Sequence, residues 1–181
     1  MTTYDLSTFG EAQIRLTVHR GGRLATSSDL RLSPAGSEAN VAGLLSQLGR
    51  KTTFASTIPR SDLGKRFESE YRGAGVDLSH CIPCDGRIAL YFMEPGNSPL
   101  PAKVTYDRLH TAFREITPET FDWDALLDTE VLFVTGITAA LTETTATTVT
   151  HAVEEAARRG VKVALDVNYR GLLWSQERAR E

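Results

Sequence analysis

The sequence predicts an α/β protein: a mainly parallel sheet flanked by helices, with a small β layer beside it. Three observations predict it. Residues 131–167 read strand, helix, strand, the order of a crossover that joins parallel strands. The segments near 12–18, 88–93 and 103–107 are shorter and alternating, without that spacing, and make the separate β layer. Between Pro34 and Gly49, a turn of small residues feeds an amphipathic helix.

In chain order, residues 4–9 form a short first strand. Ala12, Ile14, Leu16 and Val18 alternate with Gln13, Arg15 and Thr17, a period of two that gives a strand one wet face. Gly21-Gly22 is its turn, and Leu30 and Leu32 mark a return strand. Ser37 is the expected N-cap of the next helix, because its hydroxyl can accept from an amide two or three residues on. Val41, Leu44, Leu45 and Leu48 would form its buried face, and Gly49 its left-handed end. Thr52–Thr57 reads as a buried strand around Phe54. Asp62 would cap a helix carrying Leu63, Phe67 and Tyr71, ended by Gly73-Ala74-Gly75.

Ile88–Met93 and Lys103–Asp107 read as strands joined by a Pro95–Pro101 loop. Thr117-Pro118 resembles a helix start. Val131–Thr135 is a buried strand ending at Gly136. Thr142 opens a long helix with a core face of Ala146, Val149, Val153 and Ala156, closed by Gly160. Val161–Val167 is the next strand, expected to be buried on both faces. Ser175 would cap a last helix that stops after less than two turns, too short to hold itself together. The expectation is a chain whose C-terminal part is missing.

The 181 residues are 41% hydrophobic and 24% charged, enough for one domain with a real core. A net charge of −3 offers no general attraction for nucleic acid or acidic membranes. No apolar run approaches a bilayer span, and Asp5 and Glu11 interrupt the N-terminus where a secretory signal would be apolar. Both point to the cytoplasm. The two cysteines, Cys81 and Cys84, are spaced C-I-P-C but run into the Asp85-Gly86 turn rather than a helix. A zinc site would need two further ligands. They read as reduced thiols, and no metal site is expected.

Ligands of open parallel sheets bind beyond the carboxyl ends of the strands. Here those ends carry Thr135-Gly136-Ile137-Thr138 and Asp166-Val167-Asn168-Tyr169-Arg170, with Gly36 and Asn40 at what would be the same edge. On spacing alone, 34–49 is more simply a capped core helix. Arg170 reads equally as an anion fork or as a surface arginine paired with an acid. Tyr91, Tyr106 and Arg108 fall in the β layer, where tyrosines are more often packing. Neither G-x-x-x-x-G-K-[ST] nor G-x-G-x-x-G occurs. Gly73-Ala74-Gly75-Val76 follows a helix and reads as its end.

Ala35-Gly36-Ser37-Glu38-Ala39-Asn40-Val41-Ala42, with Leu48-Gly49, resembles the first signature of the PfkB/ribokinase-type sugar kinases. Phe9-Gly10-Glu11, Gly75–His80, Thr135–Thr138, Leu165–Arg170 and Leu173–Ser175 extend the resemblance across the chain. Within the family it is nearest to the kinases of 2-keto-3-deoxygluconate. The resemblance implies a Rossmann-like ribokinase fold with a β lid formed by residues of about 12–32 and 87–108. It implies transfer of the ATP γ-phosphoryl group, with a divalent cation such as Mg, to a hydroxyl of a sugar acid. Gly36 and Asn40 would hold sugar hydroxyls, Tyr91, Tyr106 and Arg108 would reach in from the lid, and Arg170 would grip the carboxylate end. Asn168 would lie near phosphate. Two arginines suit an anionic sugar. A homodimer through the lid is also implied.

Three departures stand out. Ala35-Gly36 replaces the family's usual glycine pair, Ser56–Asp62 replaces a glycine-rich turn, and Asp107 stands where the subgroup tends to have an aromatic. The family's Gly-Ala-Gly-Asp segment, which carries the anion hole and the catalytic base, is not in these residues. The chain alone is therefore expected to be inactive. Two alternatives remain: a non-catalytic binding or dimerisation remnant, and a kinase for fructose or a related neutral sugar.

Overall fold

A computed structural model describes residues 2–180. Its first sheet is entirely parallel, in the order β10-β9-β1-β4, from β1 (Tyr4–Phe9), β4 (Thr52–Ala55), β9 (Thr129–Thr135) and β10 (Lys162–Asp166). The second runs β3-β2-β7-β8, from β2 (Gln13–Thr17), β3 (Arg31–Ala35), β7 (Ala89–Glu94) and β8 (Lys103–Asp107). Strands β2 and β7 are parallel, and the outer pairs are antiparallel. A short parallel pair joins β5 (Thr57–Pro59) to β6 (Ile82–Cys84). The expected α/β architecture, a parallel sheet with a separate β layer, is the one observed.

Alternation along the buried strands sends successive side chains to opposite faces. On one face, α1 (Ser37–Gln47) and α2 (Asp62–Gly73) cover Leu6 and Phe54, and Phe67 and Tyr71 of α2 join that core. On the other, α5 (Glu143–Arg158) and the segment 113–127 cover Phe9, Leu132 and Val134. That segment contains a 3-10 turn at Pro118–Thr120, where a helix start was expected, and the short helix α3 (Trp123–Leu126) capped by Asp122. A second short helix, α4 (Gly136–Ala139), follows β9 directly.

Several expectations change. Helix α1 buries Glu38, Ala39, Ala42 and Gly43. Leu44 and Leu48, expected in the core, are 60% and 69% exposed. The reason is close approach: a Cβ on Gly43 would sit 3.4 Å from the Tyr71 ring, so small residues set the contact face and the leucines turn outward. Gly36, not Ser37, occupies the N-cap, and Ser37 instead donates to Glu38 Oε2 at 2.7 Å. Pro34-Ala35, read as a turn, belong to β3, an edge strand that tolerates a missing amide. Thr52–Thr57 breaks at Ser56 into two strands of different sheets. Ser61 rather than Asp62 caps α2, accepting from Gly64 N at 3.1 Å.

Thr142 caps α5 as expected, through a reciprocal pair with Thr145. Its buried face includes Val149 and Ala156, but Thr145, Thr148 and Ala152 replace Ala146 and Val153, which are half-buried. These two border an open groove of about 1210 Å³, lined also by Val163, Leu165, Leu173 and Trp174. Strand β10, expected to be covered on both faces, is exposed along its length, with Leu165 61% accessible and Val167, just beyond its end, 57%. Among the described residues it pairs only with β9. The last residues form a 3-10 turn over Arg178–Arg180, with Ser175 Oγ accepting from Arg178 N. No described helix is long and apolar enough to cross a membrane.

Candidate functional site

Two carboxylates lie buried at the carboxyl ends of the parallel strands. Glu11 follows β1 and is 3% exposed. Its Oε2 accepts from Arg108 Nε at 2.8 Å and Nη2 at 2.5 Å, and its Oε1 from Thr111 Oγ1 at 2.5 Å. Arg108 follows β8 and is itself 4% exposed. A charge pair this deep holds only because the geometry and the third donor offset desolvation. Arg108 Nη1 is buried and, among the described residues, has no hydrogen-bond acceptor, so that donor is unsatisfied.

Glu38, in the first turn of α1, is the second carboxylate. Its Oε1 accepts from Thr135 Oγ1 and Thr138 Oγ1, each at 2.6 Å. Thr135 ends β9 and Thr138 lies in α4, so the carboxylate ties the start of α1 to the end of the neighbouring strand.

The β layer brings three of the expected residues together. Tyr91 on β7 and Tyr106 on β8 are register partners with rings 6.1 Å apart, and the Arg108 guanidinium lies 5.6 Å from the Tyr106 ring. Burial raises the Tyr91 hydroxyl above its ordinary range, partly opposed by the positive Arg15 and Arg108 nearby. The Tyr71 hydroxyl is also raised, first by burial and then by the nearby Glu70 carboxylate. It donates to Asn40 Oδ1 at 2.8 Å, which fixes the exposed Asn40 side chain against α2. Gly36 is buried at the entrance of α1, where a Cβ would lie 3.2 Å from the Glu11 carbonyl oxygen.

Arg170 and Asn168 follow β10, two strands away from β1 in the sheet. Arg170 is exposed and its Nη1 donates to the Tyr169 carbonyl. Asn168 adopts φ 41°, with its amide held by Asp166 Oδ1. The segment is tied inward at Gly136, where a Cβ would fall 2.2 Å from the Val167 carbonyl oxygen. The C-I-P-C pair carries no activated thiol: burial pushes Cys81 up to about 12, and its Sγ donates to the Phe54 carbonyl.

The pfkB family carbohydrate kinase profile matches residues 4–181. The chain belongs to the PfkB family. A 2-dehydro-3-deoxygalactonokinase of Haloferax volcanii is 37% identical over 99% of this PfkB chain and 56% of its own length. A 2-dehydro-3-deoxygluconokinase of Bacillus subtilis is 28% identical over 96% and 54%. The crystal structure of 2-dehydro-3-deoxygluconokinase from Thermotoga maritima superposes with a TM-score of 0.91 at 35% identity, covering 96% of this chain and 53% of that one. The chain thus spans about half the length of the relatives it matches, and its fold is theirs, the ribokinase fold.

Sequence reasoning missed Glu11, Thr111, Glu38, Thr135 and Thr138 as a connected set in this PfkB-family chain. The one local signal was a charged residue directly after a buried strand, Gly10-Glu11, with a second, Glu38, inside a run of small residues.

Proposed function

We propose that this chain carries the sugar-acid-binding half of a kinase that phosphorylates a 2-dehydro-3-deoxy aldonic acid, the gluconate or the galactonate, at the expense of ATP. The observation that carries the reading is Arg108, held rigidly by Glu11 beside Tyr91 and Tyr106, with Nη1 unsatisfied. A planar donor with no acceptor of its own suits a carboxylate or keto oxygen better than a neutral hydroxyl. The tyrosines present apolar faces and hydroxyl tips to the ring or chain of a sugar. Gly36 lets the entrance of α1 pack against the Glu11 carbonyl beside the site, Asn40 offers its amide, and Arg170 closes over the acid end. The names of the relatives support the same substrate class.

ATP is the donor expected of the family, and a sugar kinase of Pyrococcus horikoshii with this fold, at 20% identity, has been solved in complex with ATP. The residues here do not fit a nucleotide. The family's Gly-Ala-Gly-Asp segment does not occur in them, and Asn168, the residue expected near phosphate, has its backbone amide held by Asp166. We therefore assign this chain binding and orientation of the sugar acid, and neither the base nor the phosphoryl transfer itself. The β layer acts as a lid over the sugar, and its outer strands, with Leu30 and Leu32 exposed, are the surface we propose for pairing two copies.

The test combines calorimetry and turnover on the 181-residue chain. Binding of 2-dehydro-3-deoxygluconate, weaker binding of fructose and no ADP formed from ATP is the expected result. Clear turnover would contradict the division of labour, and a preference for fructose would contradict the substrate class.

A further inference from the structure

We propose that Glu38 is a positioning residue that locks the two walls of the sugar site to each other. The inference deepens the sugar-site reading and rests on it only for the binding arm of its test.

The carboxylate is 1% exposed and, among the described residues, forms no ion pair. A buried charge without a cation is costly, and nothing in the packing of α1 on the sheet calls for one. What it has instead is three hydroxyls. Ser37 Oγ donates to Oε2 at 2.7 Å, and Thr135 Oγ1 and Thr138 Oγ1 both donate to Oε1 at 2.6 Å. Such charge-assisted bonds are short and strongly oriented. The positive end of α1 favours a carboxylate in its first turn.

Space for the group is reserved on the opposite side. A Cβ on Gly10 would fall 2.4 Å from Glu38 Oε2, so a side chain there would displace the carboxylate. Gly10 also immediately precedes Glu11, the anchor of Arg108.

The three hydroxyls sit at places that matter to the proposed ligand. Ser37 directly follows Gly36. Thr135 directly precedes Gly136, against which the Val167 carbonyl packs on its way to Asn168 and Arg170. Glu38 therefore joins the α1 entrance to the β9 end, and through Gly136 to the start of the arginine-bearing segment. A site that must hold both ends of one sugar acid needs those walls at a fixed separation. Glu38 supplies the strut, while Arg108 and Arg170 supply the contacts.

The experiment uses the 181-residue chain and three variants, Glu38→Ala, Glu38→Gln and Thr138→Val. Hydrogen exchange is read at residues 36–40 and 135–140 without ligand, and affinity for 2-dehydro-3-deoxygluconate by calorimetry. Glu38→Gln keeps an oxygen for the two threonines and an amide for Ser37, so exchange and affinity stay within about threefold of the parent. Glu38→Ala speeds exchange on both walls and weakens the sugar acid by about tenfold or more. Thr138→Val removes one donor and loosens 36–40, on the far wall, by a smaller factor.

Exchange that is unchanged in folded Glu38→Ala, or raised on the α1 side alone, overturns the proposal. So does Glu38→Gln behaving as Glu38→Ala does. If Glu38→Ala fails to fold, Thr138→Val decides through exchange at 36–40. A parent chain that binds no sugar acid refutes the sugar-site reading, and the exchange measurements still decide the role of Glu38.

Discussion

The two walls at the carboxyl edge of the sheet are built in opposite ways. The wall at β1, α1 and the β layer is closed: Glu11 and Glu38 are buried, each carboxylate oxygen has a donor, and Arg108 is clamped by a carboxylate. The wall after β10 is open: Leu165 and Val167 face outward and the Arg170 guanidinium rests on its neighbour's carbonyl. Fixed donors bind an anion without first being ordered, whereas an exposed arginine must lose side-chain freedom to do so. In the proposed site, anion recognition is therefore pre-built on the side of Arg108 and completed on the side of Arg170.

The hardest blow to the comparison comes from Arg108→Ala. It removes the free donor and also strands Glu11, so we expect about 3–5 kcal/mol lost from folding and sugar-acid binding reduced beyond detection. Denaturant unfolding and calorimetry check both. If the variant is as stable as its parent, the closed wall is not held by that pair.

Arg170→Ala should act on binding without acting on stability. Thermal unfolding should move by no more than about 0.5 kcal/mol, as for other exposed positions. The sugar acid should bind about tenfold more weakly, and a neutral sugar much less so. Equal losses for both ligands would take Arg170 out of the carboxylate role.

At neutral pH the smallest effect is that of the Cys81 thiol, which appears only in alkali and concerns the buried interior alone. The Cys81 thiol is pushed up to about 12 by burial, against 9.0 for a free thiol. Folding therefore favours the protonated form. That contribution is complete below about pH 9 and is lost as pH rises toward 12, with a slope of at most about 1.4 kcal/mol per pH unit. Cys81→Ala should flatten the alkaline arm of a stability-against-pH curve, measured by denaturant unfolding, and leave the slope between pH 6 and 8 unchanged.

Most of the strands were legible in the sequence, because alternation reports which face of a strand is wet. Residues 12–18, 88–93 and 103–107 were separable from 131–135 on that ground, and β8 matches its expected bounds. Helix ends were legible where a side chain or glycine fixes them, as at Thr142 and at Gly49, which takes φ 84°. The face of α1 was not, because periodicity weights large apolar residues, and this helix packs through Ala39, Ala42 and Gly43. The struts of the site were hidden for a different reason. Glu11 finds its partners 97 and 100 residues along the chain, and so does Glu38. Local patterning reads an isolated carboxylate as solvent-facing; the parallel sheet brings Glu38 to its threonines, and the packing of the β layer on that sheet brings Arg108 and Thr111 to Glu11. The family motifs include Glu11 and Glu38 as well as Gly36, but the resemblance assigned a role to the glycine alone.

The account turns on Arg108 as a fixed anion donor, and a structure of the chain in complex with 2-dehydro-3-deoxygluconate tests it most directly. The account predicts a carboxylate or keto oxygen of the sugar acid within hydrogen-bond distance of Arg108 Nη1, with Glu11 still on Nε and Nη2. A sugar acid bound elsewhere, with Nη1 still lacking an acceptor, would contradict it.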